Sequence, residues 1–150
     1  LLFFGGVSVL GVYSLFAKSF LSENILLAIG FGLLSTAVLN LNNMRDLSND
    51  FNSGKITLVV RMGPNRAKLY HVLLIIIALG AIAQFIVLVG NPFLFLALLP
   101  GLFLLYHLRM AMRVTDPKDF DPELKKVALS TFAISVLFFI GLYLLRHYGA

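Results

Sequence analysis

The polar and charged residues suited to metal binding or catalysis are concentrated in one stretch, Asn40 to Gly63, which begins at the end of one apolar run and precedes the next. Within this stretch Asp46 and Asp50 are four residues apart, so on a continuing helix their carboxylates lie one above the other on one face. Two like charges at this spacing repel each other, and a divalent cation between them reverses the sign of the interaction. Magnesium is commonly held by one or two carboxylates, with phosphate oxygens and water completing its coordination. The pair therefore predicts a site for Mg²⁺ and a phosphate group.

Basic residues follow the acidic pair at short distance in the same stretch. Lys55 and Arg61 supply positive charges that could neutralise diphosphate oxygens, the lysine as a point charge and the arginine as a two-pronged donor. Gly54, which has no side chain, allows the backbone of the loop to approach an anion closely. The stretch as a whole is suited to a metal-bound diphosphate.

The specificity of this pattern depends on how much of it is considered. An Asp pair alone is weak evidence, because acidic residues near helix ends are commonly caps or solvated charges. Basic residues in the same loop can simply mark the cytoplasmic side of a membrane protein. The full set is more specific and favours a functional site over helix caps or loop charges. It reads Asn-x-x-Asn-x-Arg-Asp-x-x-x-Asp, then Gly-Lys-x-Thr and Val-Arg-x-Gly.

The rest of the chain is strongly hydrophobic. Of 150 residues, 59% are hydrophobic and 13% are charged, with a mean hydropathy of +0.93, values that exclude an ordinary soluble domain and indicate a lipid bilayer as the surrounding medium. The net charge of +5 does not indicate nucleic-acid binding, because the basic residues occupy short loops between apolar runs. There is no cysteine, so disulfides and thiolate metal sites are excluded.

Five apolar runs can be counted, over residues 1–16, 25–44, 70–89, 93–112 and 127–145. About 20 helical residues span a hydrocarbon core, so the last four are long enough, and the first is interpreted as the truncated end of a longer helix. The sequence thus predicts an all-α, multi-pass transmembrane helical bundle with five helices. Because the chain opens at Leu1 inside an apolar run, we expect residues to precede it in the complete protein.

The loops predict the orientation of the bundle. With residue 1 on the cytoplasmic side, ten basic residues fall in the cytoplasmic loops, whereas only Lys18 and Arg146 fall on the opposite side. The ten are Arg45, Lys55, Arg61, Arg66, Lys68, Arg109, Arg113, Lys118, Lys125 and Lys126. Asn91-Pro92 predicts a tight outer turn between the third and fourth spans. Pro100 and Gly101 should kink the fourth span, and Asp121-Pro122-Glu123 has the form of a helix start with Asp121 as the N-cap.

The run LNLNNMRDLSNDFNSGKITLVVRMG resembles the second aspartate-rich motif of the UbiA superfamily of intramembrane prenyltransferases. Its Asn-Asn-x-Arg-Asp and Gly-Lys-x-Thr-Leu-x-Val-Arg-x-Gly elements are most similar to the branch that uses dihydroxynaphthoate as acceptor. The opening FFGGVSVLGVY is also similar to a span of that branch, with less specificity. Members of the superfamily have nine helices and two aspartate-rich motifs facing a cytoplasm-side cavity. On this resemblance, residues 1–150 form the C-terminal part of a single such membrane domain, with five of nine helices and one of two motifs.

The resemblance implies roles for particular residues. Asp46 and Asp50 would coordinate Mg²⁺ on a polyprenyl diphosphate and act as the catalytic pair. Lys55 and Arg61 would contact the diphosphate oxygens, and Asn43 and Arg45 would support the same site. The activity implied is Mg²⁺-dependent transfer of the polyprenyl group to 1,4-dihydroxy-2-naphthoate with decarboxylation, a step of menaquinone synthesis, in a bacterial inner membrane with the site facing the cytoplasm. The fragment alone is expected to be inactive.

Besides a non-catalytic membrane scaffold, two alternatives remain open from the sequence. One is a prenyltransferase of the same family with another aromatic acceptor, such as 4-hydroxybenzoate or homogentisate. The other is a subunit of a cation-coupled transporter, for which ionisable residues should recur at mid-depth in other spans, and the sequence shows none there.

Several other polar residues are not assigned to the site. His71 and His107 have no second ligand three or four residues away, so no metal role is expected, and His71 is interpreted with Tyr70 as an interfacial pair. Asp116, Asp119 and Glu123 in the second cytoplasmic loop are explained by capping and solvation.

Overall fold

The computed structural model describes residues 1–17 and 22–148, and this part of the chain contains helices and no strand. The predicted all-α class is confirmed. The first helix, α1, covers Leu2–Ala17 and is π-helical over Leu2–Gly11. It is followed by α2 (Asn24–Arg45), the short α3 (Leu47–Asn52) and α4 (Leu58–Met62), α5 (Pro64–Val89), α6 (Leu99–Arg113) and α7 (Phe120–Tyr148).

Four of these helical stretches are long and apolar enough to cross a membrane. They cover Asn24–Arg45, Pro64–Val89, Pro92–Arg113 and Pro117–Tyr148. The helix α1 is apolar but shorter, as expected for the first of the five predicted runs. The chain is therefore a multi-pass integral membrane protein. The predicted position of Lys18 on the outer side falls outside the described residues.

The helix α2 lies at the centre of the bundle and packs against α1, α5 and α7. Its contact with α5 is close because Gly30 leaves room for Ile82: a Cβ at residue 30 would lie 2.5 Å from Ile82 Cγ1 and 3.2 Å from the carbonyl oxygen of Ala78. Small residues at helix interfaces are typical of membrane bundles, where dispersion contacts replace the hydrophobic effect as the driving force. Leu34 and Leu41 of α2 are fully buried in this core.

The turn between α5 and the next span confirms the predicted role of Asn91-Pro92. Gly90 ends α5 with a positive φ of 68°, the left-handed conformation that glycine adopts without strain. Asn91 Oδ1 then accepts a hydrogen bond of 3.0 Å from the backbone of Phe93, and a 3₁₀-helix runs over Pro92–Leu98. The fourth span changes from 3₁₀ to α geometry at Leu99, so Pro100, for which a kink was predicted, lies in the first turn of α6.

One prediction about a helix start was wrong. Asp121 does not cap α7, because α7 begins at Phe120, after a 3₁₀ turn over Pro117–Asp119. Asp116 is the capping residue, accepting a 3.0 Å hydrogen bond from the backbone of Lys118. The carboxylate of Asp121 is thereby available for partners elsewhere.

The close packing of α2 on α5 can be tested with two glycines. We expect Gly30→Ala to destabilise the protein by about 1–3 kcal/mol, because the added methyl group must displace Ile82 in a filled core. Gly80→Ala is the matched control on α5, since a Cβ there meets nothing within 4 Å, and it should be neutral or stabilise the helix by up to about 1 kcal/mol. Thermal unfolding of both variants in detergent measures the difference; equal midpoints would show that the α2–α5 interface is looser than described.

Candidate active site

The acidic pair lies where α2 ends. The helix stops at Arg45, Asp46 adopts φ −90° and ψ 5°, and α3 begins at Leu47. The backbone N–H of Asp50 still donates to the carbonyl oxygen of Asp46 at 2.9 Å, so the helical spacing is kept across the break. The predicted single continuing helix is thus interrupted at the first aspartate, and the two carboxylates have different surroundings.

Asp46 is half-buried and held by its neighbours on α2. Arg45 Nε donates to Asp46 Oδ1 at 2.9 Å and Arg45 Nη2 donates to Oδ2 at 3.1 Å. Asn42 Nδ2 also reaches Oδ2, at 3.3 Å. Arg45 Nη1 extends further to Asp121 Oδ1 of α7, at 3.1 Å. A single guanidinium therefore joins the end of α2 to the beginning of α7.

This arrangement affects the protonation of Asp46. The hydrogen bond from Arg45 is the main cause that holds the pKa of Asp46 below its ordinary value, and partial burial opposes the shift. Because the pKa of Asp46 is lower in the folded state than in the unfolded state, its ion pair with Arg45 stabilises the fold at pH values above the ordinary pKa of aspartate. This contribution is lost as the pH falls through the pKa of Asp46 in the folded state. Asp46 is therefore ionised at neutral pH.

Asp50 has a different environment, with only 6% of the residue exposed. Lys55 Nζ lies 3.0 Å from Asp50 Oδ1, whereas Oδ2 is buried without a hydrogen-bond partner among the described residues. The local chain explains the lysine contact. Gly54 takes a positive φ of 75°, and the N–H of Lys55 returns to the carbonyl oxygen of Asp50 at 2.9 Å, which closes the turn. Gly54 thus reverses the chain and brings Lys55 beside the carboxylate.

The other predicted site residues lie nearby with fewer contacts. Arg61 is on α4 and exposed, and the described residues offer it no ion pair or side-chain hydrogen bond. Asn43 is half-buried. Asn40, further down α2, donates to the carbonyl oxygen of Ala67 at 3.1 Å and so ties α2 to α5.

An open cleft of about 380 Å³ lies beside the end of α2. Asp46 and Arg45 line it from one side, and the loop before α7 forms the other. Asp50 does not line this cleft. The complete lining set is Arg45, Asp46, Ser48, Asn49, Asp116, Pro117, Lys118 and Asp121. The structure therefore brings Arg45 and Asp46 to a shared cavity and places the ion pair of Asp50 and Lys55 in the adjoining turn.

Sequence reasoning missed three polar residues next to this region. His71, interpreted as interfacial, is buried and its Nε2 lies 2.9 Å from Nε2 of His107. Glu123, assigned to capping and solvation, is 4% exposed and its Oε2 lies 2.6 Å from Nδ1 of His107. These partners are 36 and 16 residues apart in the chain, so no local spacing could have revealed them. The available signal was a set of ionisable residues near the same end of three apolar spans.

Comparisons with known proteins agree with the motif. A family model described as the UbiA prenyltransferase family matches residues 1–132. The chain is 38% identical over 145 residues to 1,4-dihydroxy-2-naphthoate octaprenyltransferase of Escherichia coli (strain K12), covering 96% of this chain and 47% of that protein. Identity to the protein of the same name from Haemophilus influenzae is 37% over 145 residues, covering 95% and 46%.

A relative of the same name from Mycobacterium tuberculosis is 37% identical over 91 residues, covering 60% of this chain and 30% of that protein. The chain spans about half the length of the first two curated relatives. No solved structure matches the chain.

The ion pair of Asp50 and Lys55 has a measurable consequence. We expect Lys55→Met to lower the stability of the metal-free protein by about 1–3 kcal/mol, because a buried carboxylate loses its partner. Adding Asp50→Asn to this variant should restore most of the loss, since the unpaired charge is then removed. Lys118→Met is the control, since Lys118 is exposed. Thermal unfolding in detergent with a chelator measures the effect. The pairing would be contradicted if the stability changes of Lys55→Met and Asp50→Asn simply added in the double variant.

Proposed function

Because the chain belongs to the UbiA prenyltransferase family, we propose that it supplies the diphosphate-binding part of an intramembrane polyprenyltransferase. Residues 1–150 are the C-terminal part of a single membrane domain, and the site faces the cytoplasm of a bacterial cell, at its inner membrane. The donor is a polyprenyl diphosphate and the acceptor is 1,4-dihydroxy-2-naphthoate. The choice of acceptor is supported by the names of the relatives and by the Asn-Asn-x-Arg-Asp form of the motif.

The observation that carries this proposal is the unpartnered carboxylate oxygen of Asp50. A buried polar atom without a partner is costly and is expected to meet a ligand, an ion or a water molecule. Here the atom lies at the end of an apolar bundle, in a segment that also holds Lys55 and Arg61. A cation bound to a diphosphate would satisfy both groups: the cation would meet the lone oxygen of Asp50, and the diphosphate would meet the positive charges of Lys55 and Arg61.

The residues present fit a magnesium ion. Among the described residues there is no cluster of three His, Cys, Asp or Glu side chains that could hold a metal, but Mg²⁺ bound to a substrate phosphate needs only one or two carboxylates. Asp50 would offer its unpartnered Oδ2, and Asp46, which Arg45 holds in its ionised form, would offer a second carboxylate. When bound, Mg²⁺ neutralises charge on the leaving diphosphate.

The chain's own residues contribute binding and charge. Lys55 and Arg61 contact diphosphate oxygens and stabilise the negative charge that builds as the bond between the prenyl carbon and oxygen breaks. Arg45 holds Asp46 ionised, and Asn43 supports the same turn. The electron-rich ring carbon of the acceptor then forms the new carbon–carbon bond, with loss of the ring carboxylate as carbon dioxide.

The isoprenoid tail requires an apolar path that starts near the diphosphate. An open groove of about 460 Å³ runs between α2 and α7 beside Asn42, which also donates to Asp46. Its residues repeat at helical spacing on both helices, so the groove follows the helix axes into the bundle. It is lined by Phe4, Ser35, Val38, Leu39, Asn42, Leu124, Ala128 and Thr131.

Prenyl transfer by the full-length protein tests this proposal. We expect Asp46→Asn and Asp50→Asn each to lower the rate about 100-fold or more in liposomes with Mg²⁺, because stabilisation of the leaving group is lost. Asp119→Asn, in the exposed turn before α7, is the matched control and should keep full activity. The product is measured by chromatography with a labelled donor, and chelation should abolish it.

Two results would contradict the proposal. Full activity of Asp46→Asn and Asp50→Asn, or activity independent of a divalent cation, would remove the diphosphate site. Transfer to 4-hydroxybenzoate or homogentisate but not to 1,4-dihydroxy-2-naphthoate would keep the site and replace the acceptor.

A further inference from the structure

A buried polar chain crosses three helices close to the candidate active site. His71 of α5 contacts His107 of α6 through their Nε2 atoms at 2.9 Å, and His107 Nδ1 contacts Glu123 Oε2 of α7 at 2.6 Å. Lys126 Nζ donates to Glu123 Oε1 at 2.6 Å. The two histidines and the glutamate are at most 4% exposed. None of the four residues has a role in the function proposed above.

The hydrogen bonds in this buried polar chain have a defined donor and acceptor at each contact. The carboxylate of Glu123 accepts hydrogen bonds from Lys126 and from His107 Nδ1. A neutral His107 that donates from Nδ1 carries its lone pair on Nε2, so His71 is the donor between the two rings. Each ring is then fixed in one tautomer and one orientation. Such a chain determines how the three helices are rotated relative to one another, whereas apolar packing allows small shifts.

The buried polar chain is connected to the candidate site through the first turn of α7. Glu123 and Asp121 belong to this turn, and Asp121 Oδ1 accepts from Arg45 Nη1 at 3.1 Å. Arg45 in turn holds Asp46 at 2.9 Å. A second contact supports the same region, because Lys68 Nζ at the start of α5 donates to the carbonyl oxygen of Val114, just after α6.

Stability alone is a poor explanation for this arrangement. Buried ionic groups are often no more stabilising than apolar residues of similar volume, and their best-attested use is to fix one arrangement among several. Here the arrangement that is fixed includes the position of Asp121. The helix that carries Glu123 also carries Asp121, the only partner of Arg45 beyond α2 and its C-cap Asp46 among the described residues.

We propose that His71, His107, Glu123 and Lys126 form a positioning network for the candidate diphosphate site. The network fixes the first turn of α7, so that Asp121 orients Arg45 and Arg45 orients Asp46. The proposal rests on the function proposed above. Its four members are positioning residues, since none of them lines the cleft beside Asp46.

A double-mutant cycle on the full-length protein in liposomes tests this network. Glu123→Gln keeps the side-chain shape but leaves one of its two donors, His107 or Lys126, without an acceptor. We expect it to raise KM for the polyprenyl diphosphate about five-fold, with kcat changed less than about two-fold. In the D121N background the same substitution should raise KM by less than about two-fold, because the connection to Arg45 is already broken.

Controls and a second variant separate positioning from general stability. Glu23→Gln, at an exposed glutamate at the other end of α2, should leave KM unchanged. His71→Leu removes the far end of the network without leaving a charge unpaired, and it should raise KM in the same direction by a smaller factor. If Glu123→Gln does not fold, the cycle of His71→Leu with D121N decides the question.

The proposal is overturned if Glu123→Gln or His71→Leu raises KM by the same factor in both backgrounds. It is also overturned if these variants lower the thermal midpoint and leave KM unchanged, since the network would then serve stability only. If the function proposed above is itself wrong, Asp46→Asn keeps full activity. The failure of that proposal can therefore be distinguished from the failure of the positioning network.

Discussion

A charge inside an apolar bundle must find its partner within the protein, because lipid offers no hydrogen bonds and little screening. This constraint organises the polar half of the structure. Asp46 is paired with Arg45, Asp50 with Lys55, and Glu123 with His107 and Lys126. All three acidic residues lie near the same end of the helices, so the paired charges form one polar layer on top of an apolar core.

Arg45 has the most connections in this layer. Its guanidinium reaches Asn42, Asp46 and Asp121, which joins the end of α2 to the beginning of α7. Arg61 is exposed and has no ion pair among the described residues. The two arginines of the motif are therefore suited to different tasks, one to holding the protein together and the other to meeting an anion from outside.

The sequence predicted the parts of the molecule that depend on local pattern. Apolar length predicted the long helices, and Asn91-Pro92 predicted the turn between two of them. The break at Asp46 was not predicted, because nothing in the residues from Arg45 to Leu47 forbids a helix. Binding of a metal diphosphate stays a prediction for the six site residues, Asp46, Asp50, Lys55, Arg61, Arg45 and Asn43.

The contacts among His71, His107 and Glu123 were missed for a different reason. Each residue taken alone fits a helix end or a membrane boundary, and only the packing of α5, α6 and α7 shows them as partners. Their discovery also bears on the transporter alternative. Ionisable residues do occur within the spans, but they lie within about two turns of one end, next to the candidate site and away from mid-depth.

The pairing of His107 with Glu123 has a consequence for how the protein enters the bilayer. A charged residue is costly when its helix is inserted alone, and Glu123 meets His107 only when α6 and α7 lie side by side. These two helices, joined by a short segment, are therefore best inserted as a hairpin that shields its own charge during biogenesis. The joining segment, Val114 to Asp119, is short, which keeps the entropic cost of bringing the two partners together low.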